Sequence, residues 1–158
     1  MGISCSILFK KGSYNDALEL YKEMEIVCLN NKYYCEIFHR EKNVEGKTKA
    51  IYFSVSDRPF ESSVSRQLAI FLFDEPYEYK DISFDWYSEE VFFEAMYIDF
   101  FNGNEDLLLE LLYGFMKTYN DTIIWIEQDW FYFYEDFVNI KQKPFDSSWC
   151  YKNPHQDN

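Results

Sequence analysis

Four stretches of this chain send every second residue to the same side, and that alternation limits the fold more than any other feature of the sequence. Residues 3–9 set Ile3, Cys5, Ile7 and Phe9 against Ser4, Ser6 and Leu8, which is the period of a half-buried strand. Residues 33–39 alternate again, and residues 49–56 put Ile51, Phe53 and Val55 on one face. Residues 92–101 place Phe92, Glu94, Met96, Ile98 and Phe100 on one side. The polar stretch 41–48 between two of these runs reads as a hairpin tip, and hairpins make antiparallel neighbours. A short apolar run at 25–29, followed by the turn signal Asn30-Asn31, reads as a further strand paired with 33–39.

Two segments carry the helical period instead. Ser13 or Asn15 caps a helix reaching Met24, with Ala17, Leu20, Tyr21 and Met24 on one stripe; Asp16 and Glu19 lie near its start, where the helix dipole favours anions. Asn102 or Asn104 caps a second helix running to Tyr119, and its apolar set of Leu107, Leu108, Leu111, Leu112 and Phe115 is wide enough for deep burial. Strands at 122–127 and 130–134 follow, turning at Gln128-Asp129, and then a short helix at 135–140. Residues 66–73 admit strand or helix, since so short an apolar run has no decisive period.

The expected fold class is therefore α+β, a largely antiparallel sheet with two main helices on one face. One domain spans 1–158, and the recurrence of strand, helix, strand, strand suggests two β-α-β-β units at 1–56 and 92–140 with an irregular tail at 141–158. An aromatic content of 22% fits a chain of this length with a packed core rather than disorder. No run of 18 apolar residues and no basic-then-apolar opening occurs, so the expectation is a cytoplasmic protein with no membrane association. Cys5, Cys28, Cys35 and Cys150 form no Cys-x-x-Cys pair and read as reduced core thiols. The opening Met1-Gly2-Ile3-Ser4-Cys5-Ser6 fits an acylation pattern, but a strand starting at Ile3 leaves no free arm to present a lipid.

Charge narrows the function. Residues 1–56 hold eight Lys/Arg and seven Asp/Glu, whereas residues 57–158 hold seven and 21. Between Gln67 and Asp136, 17 acids face only Lys80 and Lys117. Such a surface repels nucleic acid and anionic membrane and attracts cationic protein.

Catalytic and ligand motifs are poor. His39 and His155 are the two histidines; the first lies at a strand end and the second near the end of the sequence, so neither reads as a catalytic base. Cys28, Cys35 and His39 have zinc-binding residue types but lack a fourth ligand. The glycines are too scattered to cradle phosphate. Glu89, Glu90, Glu94 and Asp99, or Glu127 and Asp129, offer paired carboxylates, yet pairs arise by chance in a chain this acidic. Glu94 stands out, because its same-face neighbours are Phe92 and Met96. No catalytic residue, metal or cofactor is expected.

Two segments mix carboxylates with large rings, and these supply the candidate partner-binding residues. Tyr77, Tyr79, Asp81, Asp85, Trp86, Tyr87, Glu89 and Glu90 come from the loop 74–90, and Glu127, Asp129 and Trp130 from 125–136. Tyrosine and tryptophan supply much of the energy of protein interfaces, and carboxylates around them steer a basic partner. The expectation is a small acidic inhibitor of the immunity type, neutralising a basic toxin or a nucleic-acid-processing enzyme without binding nucleic acid itself. The alternative is a small-molecule-binding domain with an aromatic cleft and Glu94 or Glu127 as its anchor.

Overall fold

The computed structural model describes residues 2–13, 16–62, 66–99 and 101–156. Eight strands form one antiparallel sheet: β1 (Cys5–Lys10), β2 (Tyr34–Lys42), β3 (Thr48–Ser56), β4 (Gln67–Phe73), β5 (Asp81–Ile82), β6 (Phe92–Asp99), β7 (Ile123–Trp125) and β8 (Phe131–Tyr132). Their spatial order is β2-β3-β4-β6-β1-β7-β8, with β5 beside the start of β6. Helices α1 (Ala17–Asn30), α2 (Glu105–Thr118) and α3 (Tyr134–Lys141) share one continuous core with one face of the sheet. The fold is α+β, as the alternation and the two helical stripes require.

The strand-helix-strand successions interlock. β6 lies between β1 and β4, so the strand opening the second succession sits inside the span crossed by α1 on its way from β1 to β2. β7 returns to the far side of β1.

Helix α1 begins at Asp16, whose carboxylate accepts from Leu18 N at 2.9 Å and Glu19 N at 3.4 Å. Asp74, from the end of β4, accepts the Ala17 amide, and burial raises the pKa of that carboxyl. The cap is thus Asp16 and not the expected Ser13; Asn15, the alternative, lies outside the described residues. Neither the expected helix end at Met24 nor the strand at 25–29 is correct. Val27 and Cys28 continue the buried stripe of Ala17, Leu20, Tyr21 and Met24, so the apolar run is the last turn and a half of the same helix. Its end is set by Lys32 in the left-handed region at φ 59°. There Tyr33 N donates to Cys28 O at 2.8 Å and Lys32 N to Leu29 O at 3.2 Å, the paired bonds that close a helix C-terminus. The hairpin expected around 41–48 is present as β2-β3, turning at Asn43, whose side chain accepts from Glu45 N and Lys47 N.

Residues 66–73 resolve as strand β4, paired with β3 on one side and β6 on the other. Neighbours, rather than period, decide so short a run. In β6 the register with β1 jumps from Ile7↔Met96 to Leu8↔Glu94, so Ala95 is an extra residue. This bulge reverses the sidedness that strict alternation implies: Met96 and Ile98 join the helix-side core, whereas Phe92 packs in the second cluster on the opposite face. Phe100 lies outside the described residues. β7 and β8 are shorter than expected, β7 because the chain turns at Glu127 in the left-handed region at φ 48° and β8 because Tyr134 already opens α3.

Near the end of the described chain, Trp149 and Cys150 are buried in a single 3-10 turn. The Trp149 indole donates to Glu105 O at 3.0 Å and its ring meets Phe137 and Tyr132. His155 Nε2 lies 2.9 Å from Asp136 Oδ2, the carboxylate that also caps α3 through Phe133 N.

Arg66 joins three parts of the chain. Its guanidinium reaches Asp57 Oδ2 at 3.2 Å and both carboxylate oxygens of Asp106, at 2.8 and 3.1 Å, at the start of α2. Both carboxyls are held below their ordinary range, Asp106 by that hydrogen-bonded guanidinium, Asp57 first by the Arg66 backbone amide and then by its side chain. A depressed folded-state pKa gives stability that is present above the unfolded value, about 4, and lost as pH falls through the folded values. Arg66→Ala should therefore lower stability at pH 7 by about 1 kcal/mol, since the partners are partly solvated. In denaturant titrations the deficit should shrink below about pH 4. A gap between wild type and variant that stayed constant to pH 2 would show that the pairing does not act through those carboxylates.

Candidate functional site

The helices cover one face of the sheet. On the other face a smaller cluster of Leu8, Phe84, Phe92, Ile123 and Phe131 is roofed by the segment that follows β5. Phe84 is the centre of that roof, with its ring 5.0 Å from Trp125, 5.0 Å from Phe131 and 6.1 Å from Phe92. Trp86 and Tyr87 lie over Phe131 at 4.7 and 4.9 Å. The two aromatic-acidic segments of the sequence therefore meet in space, through Trp86 and Tyr87 on one side and Trp125 and Phe131 on the other.

The expected partner-binding residues divide within this arrangement. Tyr79 is 97% exposed and Tyr87 45%; Asp85, Trp86, Glu89, Glu127 and Asp129 are exposed as well. Asp81 is paired with Lys11 at 2.6 Å and Glu90 with Lys10 at 3.4 Å, so their charge is largely offset. Tyr77 is half-buried against Phe73, and its hydroxyl donates to Glu41 at 2.5 Å. Trp130 packs on the helix-side core, and among the described residues its buried indole N–H meets no acceptor in hydrogen-bond geometry. These last two rings serve packing.

The rest of the helix-free face is uncovered, and its residues escaped the sequence reading. Outward positions of adjacent strands carry Phe38 on β2, Tyr52 on β3, Phe71 on β4 and Tyr97 on β6. Their rings form a continuous chain with centroid separations of 6.4 Å for Phe38 and Tyr52, 5.2 Å for Tyr52 and Phe71, and 5.9 Å for Phe71 and Tyr97. Phe38 is the extra residue of a bulge between Ile37 and His39, which turns it outward, 56% exposed. His39 stacks on Tyr52 at 5.3 Å. A solvated strand face usually alternates to polar residues, so large rings at outward positions were the available signal. The bulges in β2 and β6 hid it.

Polar groups border the rings on both sides. Near β3, Glu41 accepts from Tyr77 and from Tyr52 at 3.0 Å and pairs with Lys49 at 3.2 Å. The Tyr77 hydroxyl is the main cause holding the Glu41 carboxyl below its ordinary range. Near β6, the Glu94 carboxylate is taken up by Lys80 at 3.0 Å and Ser6 Oγ at 2.8 Å. Beyond it the Tyr97 hydroxyl donates to Ser4 Oγ at 2.8 Å and reaches Asp99 Oδ1 at 3.3 Å, while Ser4 donates to the same oxygen at 3.2 Å. Burial, and then the negative charge of Asp99 and Glu127, raises the Tyr97 pKa, so that hydroxyl stays a donor at neutral pH.

Cys28 and Cys35 come together beside Tyr21, whose hydroxyl lies 3.7 Å from Cys35 Sγ. A hydrogen bond from Cys28 lowers the Cys35 thiol to about 7. His39 faces the opposite side of the sheet from this pair, stacked on Tyr52, and among the described residues no group of three or more His, Cys, Asp or Glu side chains is arranged to hold a metal. A cavity of about 610 Å³ lies between α3 and the C-terminal segment, lined by Asp136, Ile140, Trp149 and Lys152 among others. Neither Glu94 nor Glu127 lines it. Among the described residues no helix is long and apolar enough to cross a membrane.

Comparison with protein-family models, with curated proteins and with solved structures finds no match to this chain. Its functional reading rests on its own residues.

Proposed function

We propose that this chain is a small acidic inhibitor of the immunity type, which binds a basic toxin or nucleic-acid-processing enzyme and covers its cationic surface. One observation carries the reading. Exposed rings and carboxylates that meet no cationic partner among the described residues gather on the helix-free side, with Asp85, Trp86, Tyr87 and Glu89 on the roof and Glu127 beyond β7. Rings of this kind bury large area at little rotamer cost. Free carboxylates around them raise the encounter rate with a basic protein. The net charge of −13 works against nucleic acid, so the partner is a protein.

Attraction of this origin weakens with salt. Immobilised chain incubated with lysate of its source cell should retain a protein of basic isoelectric point at about 50 mM salt and release most of it at about 500 mM. If that partner is an enzyme, its activity should fall in proportion to added chain and reach a floor near equimolar ratio. Retention of only acidic or neutral proteins, or binding indifferent to salt, would remove the proposal.

A further inference from the structure

We infer that the docking surface is the open part of the helix-free face, from Phe38 on β2 across to Asp99 and Glu127, and that it takes a lysine- or arginine-bearing segment of the basic partner. The inference rests on the function proposed above and gives it a location that the sequence did not indicate.

Singly exposed rings are ordinary on protein surfaces, but a contiguous run of them is a mark of binding. Phe38, 56% exposed, and the half-buried Tyr52, Phe71 and Tyr97 form one contiguous surface of rings across four neighbouring strands. The charge around them selects the occupant. Among the described residues the ammonium groups of Lys49 and Lys80 at this face are already engaged, with Glu41 and Glu94. Among the described residues Asp99 receives the hydroxyl groups of Ser4 and Tyr97. Glu36 is exposed at an outward position of β2, opposite Ser54, and Glu127 is exposed just past β7. Glu127 lies two residues past the end of β7, and its charge acts on the Tyr97 hydroxyl. A guanidinium laid on the Tyr97 ring, beside the Lys80 ammonium 6.0 Å from its centroid, meets the Asp99 carboxylate that the Tyr97 hydroxyl reaches at 3.3 Å, which joins cation-π attraction to a charged hydrogen bond.

The other occupants fit less well. A second copy would bring Asp99 and Glu127 against their own counterparts, with each chain at −13, and nucleic acid would meet the same repulsion.

The test uses the intact, isotope-labelled protein at low salt, titrated with an oligo-arginine peptide and, separately, with an oligo-glutamate peptide. Amide shifts should concentrate on β2, β3, β4 and β6 with oligo-arginine and be absent with oligo-glutamate. Asp99→Asn and Phe71→Thr should each weaken oligo-arginine at least about tenfold, equivalent to 1.4 kcal/mol. Glu25→Gln, an equal charge change on α1 behind the sheet, should alter it by less than about twofold. If Phe71→Thr fails to fold, as its amide dispersion will show, Asp99→Asn decides alone. Shifts confined to the roof around Asp85, Trp86 and Glu89, with Asp99→Asn silent, would overturn this location and leave the proposed function standing. Absence of binding by oligo-arginine to wild type would overturn both. Self-association in sedimentation that Phe71→Thr abolishes would assign the face to a second copy and overturn the inference.

Discussion

Trp149→Ala will destabilise this protein by about 3–5 kcal/mol, the range for removing a buried aromatic side chain from a packed core. Trp149 is 2% exposed, and its ring joins Phe137 of α3 to Tyr132 of β8, at 5.5 and 5.8 Å. Its indole N–H donates to Glu105 O at the first turn of α2. The substitution opens a cavity and also strips an acceptor of its donor. Tyr132 adds to the linkage, donating its hydroxyl to Lys152 O at 2.7 Å. Chemical denaturation should register the loss. Hydrogen exchange should show faster amides in α3 and the start of α2, while β2 and β3, at the opposite end of the sheet order, keep their rank. A loss under about 1 kcal/mol would mean that the C-terminal segment rests on the core without supporting it.

That segment also shows where sequence reasoning reaches its limit. After Lys141 the chain lacks any period, because one 3-10 turn of three residues cannot display one. What holds Trp149 is contact with residues far away in the chain, and no local pattern encodes it. Helix α2 is the contrary case. Its wide leucine stripe and its start after Asn104, one of the two expected positions, were legible because both are local, although the Asn104 side chain makes no capping bond, and the β2-β3 hairpin was legible for the same reason. The run from Glu25 to Leu29 lies between these cases. Ile26 and Leu29 are exposed apolar residues, 51% and 77%, and they make an amphipathic helix end look like a strand. Only the left-handed Lys32 and the bonds to Cys28 O and Leu29 O fix the true boundary.

The candidate site was legible in part. Asp85, Trp86, Tyr87 and Glu89 stand out in sequence because rings and acids are contiguous there. The Phe38, Tyr52, Phe71 and Tyr97 run is assembled one residue per strand, and each of its members looks like an ordinary strand aromatic. Two bulges complicate the reading further, since an inserted residue moves every later side chain to the other face. Strict alternation put Glu94 among Phe92, Met96 and Ile98, as though it were a carboxylate sunk in the core. With Ala95 as the extra residue, Glu94 lies beside Lys80 and Ser6 instead, and an apparent anomaly becomes a satisfied ion pair.

The second large effect is expected at Gly114, where α2 passes α1. A Cβ placed on Gly114 would lie 2.7 Å from Cγ1 and 3.3 Å from Cγ2 of Val27, and Val27 is itself buried at 3% exposure. Glycine in a helix interior ordinarily costs 0.5–1 kcal/mol relative to alanine, so its presence here trades local stability for close helix approach. Gly114→Leu should destabilise by about 2–3 kcal/mol, because the added side chain must push the helices apart or force strained rotamers. Gly114→Ala should cost less, as the gain in helix propensity offsets part of the clash. The decisive measurement is a double-mutant cycle with Val27→Ala. Val27→Ala alone leaves a cavity and destabilises, but in its presence Gly114→Ala should become neutral or stabilising, giving a coupling of about 1–2 kcal/mol. Additive costs in that cycle would show that α1 and α2 do not meet at this pair, and the close packing of the two helices over the sheet would have to be redrawn.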